Sequence, residues 1–102
     1  MKSILSGDEK GRCFLCGKYG PTEEHHIFGG PFRRKSEYYG LKAHLCHWCH
    51  NESPNGAHQN PAVSAYLKEL AQREIMRQKD WSIADFRGVF GKSWVEEDHD
   101  TM

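Results

Sequence analysis

Large aliphatic side chains are scarce: Leu, Ile, Val and Phe together number 18 in 102 residues. That is near the range of disordered chains, but those also carry a large net charge, and here 14 basic residues balance 14 acidic ones. A zero net charge singles out no partner. No apolar run approaches the roughly 18 residues of a membrane span. The opening stretch, Met1-Lys2-Ser3-Ile4-Leu5-Ser6-Gly7, has no apolar segment long enough for a secretory signal. These absences predict one small cytoplasmic domain whose thin core needs a staple.

Four cysteines are the candidate staple, since a cytosolic chain keeps its thiols reduced and paired cysteines there read as metal ligands before disulfides. Cys13-x-x-Cys16 and Cys46-x-x-Cys49 are separated by 29 residues. Two intervening residues let both thiolates of a pair reach one ion, as in a tetrahedral four-cysteine zinc site. Binding worth roughly 10–16 kcal/mol in zinc-finger peptides would offset the small core. The spacing points to structural zinc at Cys13, Cys16, Cys46 and Cys49.

Charge divides along the chain, with +3 over residues 1–50 and −3 over 51–102. Residues 1–11 are polar, punctuated by glycine and expected to be flexible. A single domain is expected over 12–95, with the metal module in 12–60 and helices in 61–95, followed by an acidic tail over 96–102. Glu23 to Phe28 is strand-like, and Leu41 to Leu45 alternates with Leu41, Ala43 and Leu45 on one face. The breakers and cations of residues 29–40 predict a long basic loop joining these strands as a hairpin. Asn60-Pro61 is a helix start, and the apolar spacing from Val63 through Tyr66, Leu67, Leu70, Ala71 and Ile75 carries that helix to about Lys79. Ser82 and Asp85 form a capping pair for a second helix with Ile83, Phe86, Val89 and Phe90, stopped by Gly91. These helices cover the zinc module or form a dimer interface. Trp48 and Trp81 are expected in the core.

Six of the seven histidines, His25, His26, His44, His47, His50 and His58, lie between the first cysteine pair and the long helix. A zinc with four sulfur ligands leaves them without a role. On a strand, His25 and His26 project to opposite sides, so one can bind a metal while the other faces a substrate. His50 directly follows Cys49. In a helical turn it faces some 100° away, toward a second site, and His58 can fold back to the same place after the Pro54-Asn55-Gly56 turn.

The ordered set over residues 12–60 (C-x-x-C, His25-His26-Ile27, a Gly- and cation-containing stretch, then Leu45-Cys46-x-x-Cys49-His50) resembles the HNH endonucleases. More narrowly, it resembles the small recombination-associated HNH proteins of phages and prophages. The resemblance implies a small α+β, treble-clef-like ββα-metal fold. Carried onto Glu24-His25-His26-Ile27, it makes His25 a metal ligand and His26 the general base, with His50 and His58 completing the ion's protein ligands. The chemistry it implies is phosphodiester hydrolysis with Mg²⁺ or Mn²⁺, leaving 5′-phosphate and 3′-hydroxyl ends. Three imidazoles also suit Zn²⁺ or Ni²⁺. The family usually carries an asparagine before the second strand, where this chain reads Tyr38-Tyr39-Gly40-Leu41; Asn51, Asn60 or the Gly40 backbone are the substitutes available. Arg33-Arg34-Lys35, the densest cationic run, is a candidate contact to the phosphates of double-stranded DNA. Expected partners are DNA, a second copy of the chain or a larger phage recombination assembly. The competing reading is a non-catalytic zinc module that binds nucleic acid or protein.

Overall fold

The computed structural model of the chain describes residues 2–95; the acidic tail expected over 96–102 lies outside them. It is a small α+β structure built on a two-stranded antiparallel sheet. Strand β1 (Glu23–His26) pairs with β2 (Lys42–Leu45) in the register Glu23–Leu45, Glu24–His44, His25–Ala43 and His26–Lys42. Strand alternation therefore splits the hairpin into two faces. Glu23, His25, Ala43 and Leu45 share the inner face, and Glu24, His26, Lys42 and His44 share the outer one.

The connection between the strands is the first departure from expectation. Instead of a loop, a short 3₁₀ turn (Gly30–Phe32) leads into helix α1 (Arg33–Tyr39). Its start follows Pro31, and its end is set by Gly40, whose φ of 73° is costly for any residue with a Cβ. Ser36 anchors the helix to the hairpin. It is fully buried, donates to the Leu41 carbonyl at 2.5 Å and accepts from the Phe28 amide at 3.2 Å.

Helix α2 (Pro61–Lys79) begins where Asn60 and Pro61 predict, with the Asn60 side chain accepting from the amides of Ala62 and Val63. Helix α3 (Ile83–Phe90) carries the expected capping box between Ser82 and Asp85 and ends at Gly91. The core forms where both helices meet the hairpin. Leu41, Ala43 and Leu45 are buried in the same core cluster as Leu67, Ala71 and Ile75, while Phe28, Phe86 and Phe90 cluster with ring centroids 4.7–5.7 Å apart. The buried apolar stripes of α2 and α3 are thus spent inside the chain. Tyr66, on the predicted stripe, instead lies 53% exposed. Buried Gln72 ties down the segment after α3, donating to the Ser93 hydroxyl and accepting from the Trp94 amide.

Two further expectations are corrected. Residues 2–11 pack rather than fray: Leu5 is buried, the Ile4 amide donates to the Gly40 carbonyl, and Asp8 grips β2 through His44. Trp48 is 58% exposed, not core, because the turn that carries it aims Cys49 inward instead. Trp81 is partly buried, edge-on to Tyr39. Among the described residues no helix is long and apolar enough to cross a membrane.

Candidate metal centres

The two cysteine pairs meet beside the end of β2. Cys13 and Cys16 lie on a tight turn closed by the Cys13 amide to the Lys18 carbonyl and the Gly17 amide to the Cys13 carbonyl, and the Phe14 amide ties this turn to the His44 carbonyl. All four sulfurs lie within 4.8 Å of one another, and none is in a disulfide. Cys16 Sγ and Cys46 Sγ stand 3.9 Å apart. A tetrahedron with sulfur about 2.3 Å from its centre has edges near 3.8 Å, so the donor set and spacing fit a zinc-sized ion. Burial works against a Cys13 thiolate, but the backbone amides of Cys16, Cys46 and Leu15 outweigh it and hold the thiol down at about 6. Burial and the neighbouring cysteines push Cys49 the other way. The Cys13 environment favours the ionised form that a metal ligand requires.

Cys49 and His50 are adjacent yet serve different clusters, and the local backbone explains how. Residues Trp48–Glu52 form one widened, π-helical turn in which the Ser53 amide reaches the Trp48 carbonyl at 2.7 Å. Cys49 points into the sulfur cluster and His50 away from it. The chain then doubles back: the Ala57 amide donates to the Cys49 carbonyl at 2.8 Å and the His58 amide to the His50 carbonyl at 3.3 Å. Gly56 permits this approach, since a Cβ there would lie 2.4 Å from the Cys49 oxygen.

His58 is thereby returned to His50, and both face His25 on the inner side of β1. The three rings form a near-equilateral triangle, with centroids 5.2, 5.0 and 4.8 Å apart and ligand atoms all within 4.8 Å. His25 is 5% exposed, and its Nε2 is the one buried side-chain nitrogen or oxygen without a hydrogen-bond partner among the described residues. Burial first, then the neighbouring His50, His58 and His26 rings and the Lys68 ammonium, drive its pKa down to about 3. Burial and His50 also lower His58. A neutral imidazole with an unsatisfied ring nitrogen is what a metal ligand needs.

Glu23 completes this centre from the inner face. Its carboxylate meets His50 Nδ1 at 2.8 Å, His47 Nδ1 at 3.0 Å and the Asn51 side-chain amide at 3.1 Å. The contacts with His50 and then His47 hold the carboxyl below its ordinary pKa. With His50 Nδ1–H donating to Glu23, the His50 Nε2 lone pair is left toward His58, as in the carboxylate–histidine pairs that back metal sites. Sequence reasoning missed Glu23; its one local sign is a carboxylate two residues before His25, on the same strand face.

The remaining histidines go elsewhere. His26, on the outer face, bonds Glu37 of α1 through Nε2 at 2.8 Å. His44 is held by Asp8, which accepts from its amide at 2.8 Å and contacts Nδ1 at 2.7 Å. His47 is exposed between Glu23 and Glu52, which raise its pKa. The groups Glu24, His26 and Glu37 also lie close enough to share a cation, but the Lys42 ammonium already sits among them, 3.3 Å from Glu24 and 3.1 Å from both Glu37 oxygens.

The cationic run splits as well. Arg33 and Arg34 line an open cleft with His26, Gly30, Pro31 and Glu37. Lys35 turns away, donating to the Val89 carbonyl at the end of α3 at 2.6 Å and lying over Phe32. Neither of the asparagines considered as substitutes reaches His26: Asn51 bonds Glu23, and Asn60 caps α2. No family model, curated protein or solved structure matches the chain.

Proposed function

We propose that the chain is a metal-dependent DNA endonuclease or nickase of the HNH, ββα-metal type, with Zn²⁺ on the four cysteines as a structural staple. The observation that carries this reading is the convergence of His25, His50 and His58, with the orphaned His25 Nε2, at a place separate from the sulfurs. These three would hold a divalent ion, Mg²⁺ or Mn²⁺ in the cell, with Zn²⁺ or Ni²⁺ also suited to the imidazoles. When bound, such an ion stabilises charge growing on a phosphoryl oxygen and on the leaving 3′ oxygen.

The chain's own groups do the rest. His26, on the outer face of the same strand as His25, takes a proton from the attacking water, a task suited to imidazole near neutral pH. Arg33 and Arg34, in the cleft with His26, hold backbone phosphates without reading bases. Replacing His26 by Ala is expected to leave the fold and both metal contents intact while abolishing nicking of supercoiled plasmid in Mg²⁺ or Mn²⁺. Nicking at the wild-type rate by this variant rejects His26 as the base.

One observation favours a non-catalytic zinc module that binds nucleic acid or protein: His26 Nε2 is engaged by Glu37 instead of lying open. The two readings part on metal content. The nuclease takes up a second ion that disappears with His58→Ala; the adaptor holds the sulfur-bound ion alone.

A further inference from the structure

Across the outer face of the hairpin runs a continuous line of polar contacts. Asp8 holds His44 Nδ1 at 2.7 Å, and His44 Nε2 faces Glu24 at 3.8 Å. Glu24 and Glu37 both take Lys42 Nζ, and Glu37 also meets His26 Nε2 at 2.8 Å. Lys42 is the hub, 4% exposed. Burial opposes its charge, but Glu37 and Glu24 outweigh burial and hold its pKa above the ordinary value. Glu37 is therefore clamped from below by a buried cation while its Oε1 reaches the histidine. It comes from α1, the helix that neither composition nor periodicity announces, and Gly40 and Ser36 lock that helix to the hairpin.

We propose that Glu37, braced by Lys42, is the positioning residue for His26, fixing the orientation of its ring and the nitrogen left to accept a proton. An ionised carboxylate only accepts hydrogen bonds. The 2.8 Å contact thus requires Nε2–H to donate to Glu37, and Nδ1 carries the lone pair. The same carboxylate, itself 42% exposed, stabilises the imidazolium that forms when Nδ1 takes a proton, the role a carboxylate has beside the histidine of a hydrolase triad. Engagement of Nε2 then prepares the base instead of blocking it. The catalytic half of this assignment rests on the nuclease reading; the ring geometry does not.

The test uses the full zinc-loaded chain. In ¹⁵N-resolved imidazole spectra, wild-type His26 is expected as the Nε2–H tautomer with a slowly exchanging proton, and that protection is lost in Glu37→Ala. Because Glu37→Ala leaves the Lys42 ammonium short of a partner, Glu37→Ala/Lys42→Met serves as the charge-balanced companion with the same expected loss. In plasmid nicking, Glu37→Gln is expected to lower kcat by roughly 10–100-fold with KM unchanged, less than the roughly 100–10,000-fold that a general base itself contributes, and Glu37→Asp to recover part of it. An Nδ1–H tautomer in the wild type, or equal exchange with and without Glu37, overturns the positioning role. If the wild type does not nick DNA at all, the nuclease reading fails while the exchange data still decide what Glu37 does. Nicking by Glu37→Gln at the wild-type kcat confines Glu37 to structure.

Discussion

His50 and His58 bring their Nε2 atoms to 3.1 Å of each other, while the other nitrogen of His50 is held by Glu23. Two ring nitrogens at that distance require a proton or a shared cation between them, and in the neutral ring an Nδ1–H committed to the carboxylate leaves His50 Nε2 with its lone pair toward His58. Glu23 thus sets which nitrogen His50 presents. Glu23→Gln is expected to weaken divalent-metal binding at the imidazole site roughly 10–100-fold, the usual effect of losing such a partner, and to leave the sulfur-bound zinc in place. Isothermal titration of the zinc-loaded variant with Mn²⁺ measures the first, and metal analysis the second.

His58 reaches that site only because the chain after the π-helical turn folds back closely, and Gly56 makes the approach possible. Any Cβ there would meet the Cys49 carbonyl oxygen at 2.4 Å, a backbone atom that cannot step aside cheaply. Gly56→Ala is therefore expected to move His58 and weaken Mn²⁺ binding while α2 and α3 remain folded. Titration together with far-ultraviolet circular dichroism reads the two effects.

Acid affects the metal-free imidazole site through His25. Its pKa lies near 3 in the folded chain, chiefly through burial, against an ordinary 6.5. Between those values the unfolded chain binds a proton that the folded chain refuses, so stability rises with pH there. The contribution is fully present above about pH 6.5 and drains away as pH falls toward 3. The urea midpoint is expected to drop between pH 7 and pH 5, and by less in His25→Gln. Comparing the two proteins at each pH separates this effect from acid loss of the cysteine-bound ion.

The three adjacent cations should fall into two kinds. Arg33→Ala and Arg34→Ala are expected to weaken binding of any duplex DNA alike, each lowering the salt slope by about 1. Lys35, committed to the Val89 carbonyl, is expected to leave DNA affinity unchanged when replaced by Met and to lower the urea midpoint slightly. Fluorescence anisotropy across a salt series separates the two kinds of residue.

Features with local causes were legible in the sequence. The cysteine pairs, the Asn60-Pro61 start, the Ser82–Asp85 box and the alternation of Leu41, Ala43 and Leu45 each need only a few neighbouring residues, and each stands as read. So does the meeting of His25, His50 and His58, because strand alternation, helical angle and a turn at Gly56 constrain it. Helix α1 was hidden because seven residues are too few for a periodic stripe, and its Gly-Gly-Pro approach reads as a breaker. The packed N-terminus rests on Leu5 and Asp8, whose partners lie far along the chain. The carboxylates behind the histidines were equally unreadable: Glu23 meets His50 from 27 residues away and Asp8 meets His44 from 36.

Crystals of the zinc-loaded protein soaked in Mn²⁺ and measured near the manganese edge test the central claim most directly. The account predicts an anomalous peak among His25, His50 and His58, bonded to Nε2 of each and distinct from the zinc on the four cysteines. A map in which manganese is absent from those rings, or gathers instead among Glu24, His26 and Glu37, contradicts it.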